Sequence, residues 1–368
     1  MSGLWLQLRA MTTFQCRLLP SEKSFDAYDH ETILEAALRA QLVLPYGCKD
    51  GACGSCKARL VEGKVDYGSY QVKALSEDER AQGSLLLCQA KPCSDLVLEA
   101  RVVAAEGMIP IRKLPCRVAS IDYPAQDVAI IRLQLPASER FQFHAGQYID
   151  ILLKDGKRRS YSMANSPLEG EQVELHIRQT PGGAFTDAVF GQPTSSANPV
   201  KQKDILRFEG PLGSFFLREE TREPIVFLAS GTGFAPIKAM IEYARAKNFD
   251  PPMTLYWGGR RPSDLYMMLL AEQWAAEMPH LRFIPVISDA EPEDHWHGRT
   301  GFVHHAVMQD FPDLSGHLVY ACGAPVVVRA AQKDFIDQCG LSFESFFSDA
   351  FTTAADLAAP KFEPVKTA

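Results

Sequence analysis

The 368-residue chain lacks any uninterrupted apolar run approaching the roughly 20 residues a membrane helix requires, so no membrane span is expected. It also lacks a basic stretch, and its formal net charge is -7, which argues against nucleic acid as a partner. No internal repeat or low-complexity tract is visible, which sets solenoids and collagen-like arrays aside. The first ten residues contain Trp5, Leu6 and Leu8, too short an apolar run for a signal peptide, and Met11 offers an alternative start. Nine cysteines in a chain of this length do not make a disulfide scaffold, so the expected compartment is the reducing cytoplasm. What is present is ordinary for a globular protein: 46% apolar and 23% charged residues, enough to bury a core. The acidic balance is read as solubility, with attraction for a basic protein partner as the alternative.

Three regions differ in pattern. Residues 14–19 read as a strand, and residues 32–39 (TILEAALR) carry apolar side chains at helical spacing after the acidic Asp29 and Glu31. Residues 57–60 and 96–103 read as further strands. Residues 104–114 form a linker. From Cys116 to Gly213 short alternating runs recur between turn residues, the pattern of an all-β sandwich or an antiparallel β-barrel. After Arg222, apolar strands at 225–229, 254–257, 283–287 and 317–322 alternate with helical segments, the first helix starting near Pro236, which implies a doubly wound parallel α/β sheet. The expected fold class is therefore multidomain α+β and α/β, with domains at 12–104, 112–216 and 222–356. Residues 352–368 read as a tail.

Cys48, Cys53 and Cys56 stand as C-x4-C-x2-C, with Cys88 as a distant fourth. A two-iron cluster needs two thiolates on each iron, and a tight loop with small residues between its cysteines lets backbone amides approach the sulfur. Structural zinc is the alternative, although it prefers paired C-x2-C knuckles and only one such pair exists. Cys16, Cys93, Cys116 and Cys339 have no ligand spacing and are expected to be buried small residues. The loop Tyr46-Gly47-Cys48-Lys49-Asp50-Gly51-Ala52-Cys53-Gly54-Ser55-Cys56 resembles that of plant-type [2Fe-2S] ferredoxins, which have a β-grasp fold; the resemblance makes Cys48, Cys53, Cys56 and Cys88 the metal ligands.

Arg159-Ser160-Tyr161-Ser162 offers a guanidinium for a pyrophosphate, a ring to pack on an isoalloxazine and a hydroxyl to reach a flavin nitrogen. His176-Ile177-Arg178 follows. In Gly182-Gly183-Ala184-Phe185-Thr186, glycines before a helix start would present amides to phosphate. The strand at 225–229 runs into Ser230-Gly231-Thr232-Gly233-Phe234-Ala235-Pro236, where glycines again permit a pyrophosphate at a helix N-terminus. Gly258, Gly259 and Arg260 follow the next strand, and Cys322-Gly323-Ala324-Pro325 the last.

In this order the motifs resemble the ferredoxin–NAD(P)H reductase superfamily, in the branch with an N-terminal [2Fe-2S] domain. The members most resembled are reductase components of multicomponent oxygenases and CDP-6-deoxy-glucoseen reductases. That resemblance implies FAD held by Arg159, Ser160, Tyr161, Ser162, His176, Arg178, Gly182, Gly183, Ala184 and Thr186. It also implies a nicotinamide nucleotide held by Gly231, Thr232, Gly233, Pro236, Gly258, Arg260, Cys322, Gly323 and Pro325. Ser162 and Cys322 would shape the reacting centre, and Phe351 (or Phe346) would cover the flavin; packing of these aromatic residues against the sheet is the competing account. The implied function is electron transfer from NAD(P)H through FAD to the cluster and on to a separate acceptor protein, an oxygenase or dehydrase component. NADH is preferred to NADPH, although Arg260-Arg261 could receive a 2'-phosphate. A monomer is expected. A redox sensor or scaffold with little turnover is the alternative function, and a sodium-pumping quinone reductase subunit a third. His295-Trp296-His297 and His304-His305 match no metal spacing and have no acidic or cysteine partner beside them, so they are expected to be loop or nucleotide-rim residues.

Overall fold

Alternating burial in TFQCRLL makes β1 (Thr13–Leu19) a half-buried strand, with Cys16 and Leu18 inside. It pairs antiparallel with β2 (Ser24–Tyr28), which the sequence patterns had not marked. Helix α1 (Ile33–Arg39) begins at a capping box: Thr32 Oγ1 accepts the Glu35 amide at 3.2 Å while the Glu35 carboxylate accepts the Thr32 amide at 2.8 Å. The computed structural model describes residues 12–103, 109–194, 198–352 and 361–362, and they fall into two units.

The first unit continues through β3 (Lys57–Glu62), β4 (Val65–Asp66), β5 (Tyr70–Gln71), α2 (Glu77–Ala81), β6 (Ser84–Leu86), β7 (Lys91–Pro92) and β8 (Leu96–Glu99). Its main sheet has the order β2-β1-β8-β3-β6, with β1 and β8 parallel, and α1 buries Ile33, Leu34, Ala36 and Ala37 in the same core. This is the expected β-grasp arrangement. Lys361–Phe362, within the segment read as a tail, forms a strand that pairs antiparallel with β5, and the Phe362 ring stacks on Tyr70 at 4.9 Å. Residues 104–108 of the expected linker, and 353–360 and 363–368 of the tail, lie outside the described residues.

The second unit holds two sheets. The first comprises β9 (Arg112–Ala125), β10 (Val128–Gln134), β11 (Tyr148–Leu152), β12 (Arg158–Ser162), β13 (Gln172–Arg178) and β14 (Ile205–Leu212), in the order β12-β11-β14-β9-β10-β13. All its pairings are antiparallel, and a bridge from Met163 to Leu175 joins the two edges into a barrel. The short α3 (Thr186–Val189) follows β13.

The second sheet is parallel throughout. Its elements are β15 (Ile225–Ser230), α4 (Phe234–Lys247), β16 (Met253–Gly259), α5 (Met268–Glu277), β17 (Leu281–Ile287), β18 (Arg299–Thr300), α6 (Val303–Asp310), β19 (Leu318–Gly323), α7 (Pro325–Cys339) and β20 (Phe346–Ala350). In the strand order β18-β17-β16-β15-β19-β20 the chain leaves β15 in one direction and returns on its other side at β19. That reversal opens a crevice beyond the carboxyl ends of β15 and β19, where open α/β sheets take ligands. Helix α4 starts at Phe234, two residues before the expected Pro236, whose missing N–H costs nothing in a first turn. The final β21 is Lys361–Phe362 of the first unit.

Candidate functional site

The ferredoxin-like loop is shaped by backbone that only special residues adopt: Lys49, Gly51 and Gly54 have φ of 63°, 69° and 85°. A side chain at Gly51 would start 2.8 Å from Gln89 Cγ, so the close approach of these segments requires glycine there. The folded loop presents its thiols in two pairs. Cys56 Sγ lies 3.2 Å from Cys88 Sγ, while the Cys48 amide donates to Cys53 Sγ at 3.4 Å and the Cys53 amide to Cys48 Sγ at 3.3 Å. The Ser55 amide donates to Cys53 Sγ at 3.5 Å. Hydrogen bonding between the thiols of each pair pulls Cys53 and Cys88 below the ordinary thiol range and pushes Cys48 and Cys56 above it. Two thiol pairs with amides aimed at sulfur suit a two-iron cluster with two thiolates on each iron.

In the second unit, Arg159-Ser160-Tyr161-Ser162 lies within β12, at one end of the strand order of the barrel sheet. Arg158 is taken up by Glu209 and Asp150. Arg159 has no carboxylate partner among the described residues and bonds only the Arg158 carbonyl, at 2.7 Å, which leaves its charge for an anion. Ser160 Oγ donates to Asp150 at 2.6 Å, and Tyr161 packs beside Phe185 with ring centroids 5.6 Å apart. The glycine turn differs from expectation. The Gly182 amide donates to Asp187 Oδ2 at 2.9 Å and the Gly183 amide to the Thr180 carbonyl at 2.8 Å, so the turn consumes both. Thr186 Oγ1 donates back to Thr180 O at 2.9 Å. The amides of Ala184 and Phe185 carry no hydrogen bond among the described residues, and a side chain at Gly182 would meet open space. An unpaired guanidinium on β12, and free amides after a glycine turn that borders open space, suit a flavin pyrophosphate.

At the seam between barrel and parallel sheet lies a buried charge network. His176 Nε2 meets Glu174 Oε1 at 3.0 Å and its Nδ1 meets the Tyr266 hydroxyl at 2.7 Å. The carboxylate fixes the tautomer, with Nε2–H donating to Glu174 and Nδ1 accepting from Tyr266. Lys238 of α4 reaches Glu174 at 3.1 Å, Glu242 at 2.9 Å and the Ala164 carbonyl at 3.1 Å. Burial pushes the Glu174 carboxyl up, but the His176 hydrogen bond and the cations of Lys238 and Arg132 outweigh it and hold its pKa at about 2. Burial lowers that of His176. Arg178 crosses the same seam to Asp264 at 3.2 Å and also pairs with Asp127 at 3.3 Å.

In the crevice, Gly231, Thr232 and Gly233 form one tight turn before α4. A Cβ on Gly231 would lie 3.4 Å from Arg178 Nη1, so Arg178 borders this turn. A Cβ on Gly233 would lie 2.1 Å from the Cys322 carbonyl, and one on Gly323 2.3 Å from that of Ser230. Both glycines are therefore needed to close the turn onto the end of β19. Gly258 allows Val303 to approach in the same way. Pro236 is buried in α4's first turn and Pro325 opens α7. Cys322 is fully buried, and burial raises its thiol pKa. It pairs across the sheet with Asp349 of β20, which accepts a hydrogen bond from Ser162 Oγ at 3.5 Å. The Phe351 amide donates to the Gly323 carbonyl at 2.8 Å, which brings Phe351 to this corner, whereas Phe346 is buried at the far end of β20 beside Val319. Glycines backing a helix N-terminus at a strand end fit a dinucleotide.

Sequence models match all three regions: a 2Fe-2S iron-sulfur cluster binding domain over residues 16–93, an oxidoreductase FAD-binding domain over residues 115–217 and an oxidoreductase NAD-binding domain over residues 227–333. The chain is 42% identical to the CDP-6-deoxy-L-threo-D-glycero-4-hexulose-3-dehydrase reductase of Yersinia pseudotuberculosis, covering 91% of this chain and 97% of that one. It belongs to the ferredoxin–NAD(P)H reductase superfamily, in the branch with an N-terminal [2Fe-2S] domain. It is 34% identical to reductase component 2 of the terephthalate 1,2-dioxygenase of a Comamonas species, over 92% of this chain and 97% of the other. An Amycolatopsis cytochrome P450 reductase has a similar structure, with a TM-score of 0.71 at 34% identity, covering 93% of this chain and all of that one. This reductase is accordingly an NAD(P)H-dependent oxidoreductase that passes electrons through FAD to a [2Fe-2S] cluster and on to a separate partner. Among its described residues no helix is long and apolar enough to cross a membrane.

Two further expectations need correction, and four residues were not foreseen. Cys93 is exposed, because its amide closes a surface turn on Lys64, while Cys16, Cys116 and Cys339 are buried. His304 and His305 lie in helix α6 rather than a loop, and Asp334 of α7 stands beside them. Glu174, Lys238, Tyr266 and Asp349 were missed altogether. The one signal for Glu174 was a carboxylate two residues before His176 on a strand, hence on the same face.

Proposed function

We propose that this reductase feeds electrons from NADH to a sugar dehydrase of the kind served by its Yersinia relative, in the cytoplasm. The observation that carries this reading is the 42% identity across nearly the whole of both chains, against 34% for the dioxygenase reductase. Nine cysteines in 368 residues, four of them at cluster spacing, do not form a disulfide scaffold and suit a reducing compartment. An oxygenase acceptor is the second reading, supported by the terephthalate and P450 relatives.

In this reading Cys48 and Cys53 hold one iron, and Cys56 and Cys88 the other, which the two thiol pairs support. Arg159 and the Ala184 amide hold the FAD pyrophosphate. Ser160, Tyr161, Ser162, His176, Gly182, Gly183 and Thr186 shape the rest of that site, and Arg178 stands where it meets the nucleotide. Gly231, Thr232, Gly233, Pro236, Gly258, Cys322, Gly323 and Pro325 form the nicotinamide crevice, and Phe351 closes it. FAD held in its site would supply the exchange between a two-electron nicotinamide donor and a one-electron cluster. The protein's own part is positional: Asp349 orients Ser162 from one side and stands beside Cys322 on the other, in a corner that buried residues keep dry.

Support for NADH comes from the mouth of the crevice. Arg260 faces Asp289 at 3.3 Å, and Arg261 is engaged by Glu291 and, at 2.9 Å, by Asp294. A 2'-phosphate entering there would have to displace carboxylates from both guanidinium groups, whereas ribose hydroxyls can donate to them.

Reconstitution tests the acceptor: the purified reductase is mixed with the Yersinia dehydrase and its CDP-sugar, or with a terephthalate oxygenase component, and NADH consumption coupled to product is followed. Coupled turnover with the dehydrase alone is expected. Turnover with the oxygenase alone would transfer the assignment to the second reading. A kcat/KM for NADPH equal to that for NADH would refute the nucleotide preference.

A further inference from the structure

The nicotinamide-binding half carries a donor cluster that electron transfer does not use. Residues His304 and His305 sit in α6, and Asp334 faces them from α7. One ligand atom from each lies within 4.8 Å of the other two. His304 is more than nine-tenths buried. Its Nε2 stands 3.4 Å from Asp334 Oδ2. That is long for a charge-assisted hydrogen bond, which closes to about 2.7–2.9 Å. It is close to the separation of about 3.3 Å between two ligands of a tetrahedral ion bound at about 2.0–2.1 Å. The other Asp334 oxygen accepts from Gln338 Nε2 at 3.1 Å, the outer contact that commonly orients a ligating carboxylate. His305 is exposed and its ring lies 4.2 Å from that of His304, so small rotations bring it into the same sphere.

We propose that His304, His305 and Asp334 form a site for a divalent transition-metal ion, with zinc the ion its two imidazoles and one carboxylate suit best and water completing the sphere. The site would link α6, which opens against Gly258, to α7, which starts at the Cys322–Gly323 corner. Metal would thereby brace the two helices that border the nucleotide crevice.

The test uses the full-length holoprotein, in which the cluster occupies Cys48, Cys53, Cys56 and Cys88. Zinc chloride is titrated calorimetrically into wild type, His305→Ala, Asp334→Asn and a His295→Ala/His297→Ala control. One zinc per chain is expected in wild type and control, weakened by about tenfold or more in each of the first two variants. His305 is exposed, so its replacement does not threaten folding, and an unchanged visible spectrum checks this. Absence of binding in wild type would overturn the site. So would zinc binding that survives both substitutions, or binding lost only in the control.

Discussion

The cysteine loop and the barrel–nicotinamide seam solve the same problem, placing polar groups where water is excluded, by opposite means. In the loop the donors are thiols within nine residues of chain plus Cys88, and the groups that tune them are backbone amides. Positive φ at Lys49, Gly51 and Gly54 turns those amides inward. At the seam the work falls to polar side chains from both sides: Arg132, Glu174 and His176 from strands of the barrel, Lys238 from α4 and Tyr266 from the turn before α5. A site made of backbone is vulnerable to a methyl group. A site made of buried charge is vulnerable to the loss of one partner.

The largest effect expected from this contrast is at the loop. Cys53→Ser should abolish the cluster and all delivery to the acceptor protein, while NADH still bleaches the flavin; retention of the iron-sulfur absorption would count against the ligand assignment. Next comes Glu174→Ala, which strands Lys238 and His176 without their carboxylate and should cost the second unit about 3–5 kcal/mol, read by thermal unfolding followed through flavin release. Acid should act in the same direction. The folded Glu174 has a pKa of about 2, below its unfolded value, so its stabilisation is complete above about pH 4.5 and is lost as pH falls towards 2. Lowered His176 adds to the loss below about pH 6.5, because the unfolded ring takes a proton that the folded one resists. A seam whose melting temperature stayed flat across that window would contradict the network.

Gly51→Ala is a smaller perturbation, forcing a Cβ into left-handed backbone and against Gln89. A loss of about 1–2 kcal/mol confined to the first unit is expected, read as faster cluster loss with the flavin retained. The smallest expected effect is Asp349→Asn, which weakens one hydrogen bond to Ser162 and should slow flavin reduction by NADH about tenfold without changing either spectrum. An unchanged rate would mean that Asp349 only supports β20.

These contrasts also explain what could be read before the fold was known. Donors spaced by four and two residues are visible as a pattern, because a loop keeps sequence neighbours together. Ser162 and Asp349 are 187 residues apart, and only the pairing of β20 with β19 brings the carboxylate to the corner. The aromatic run 346–351 showed no strand signal, since a strand buried on both faces need not alternate, and so Phe346 and Phe351 looked equivalent. His304-His305 lacked an acidic neighbour for the same reason: Asp334 arrives on the next helix but one element of the sheet later. The barrel and the parallel sheet, by contrast, were legible from period-two alternation and from strand–helix rhythm.

The short β21 strand has a consequence for how the molecule is made. Gln71 of its partner strand donates to the Gly51 carbonyl at 2.9 Å, so β5 stands directly behind the cysteine loop, and Phe362 lies on Tyr70. A ribosome that has released Cys88 must still deliver the flavin and nicotinamide domains before that brace exists. The unit begun first is finished last, and a nascent chain therefore carries its four thiols on an unbraced loop until Phe362 has emerged.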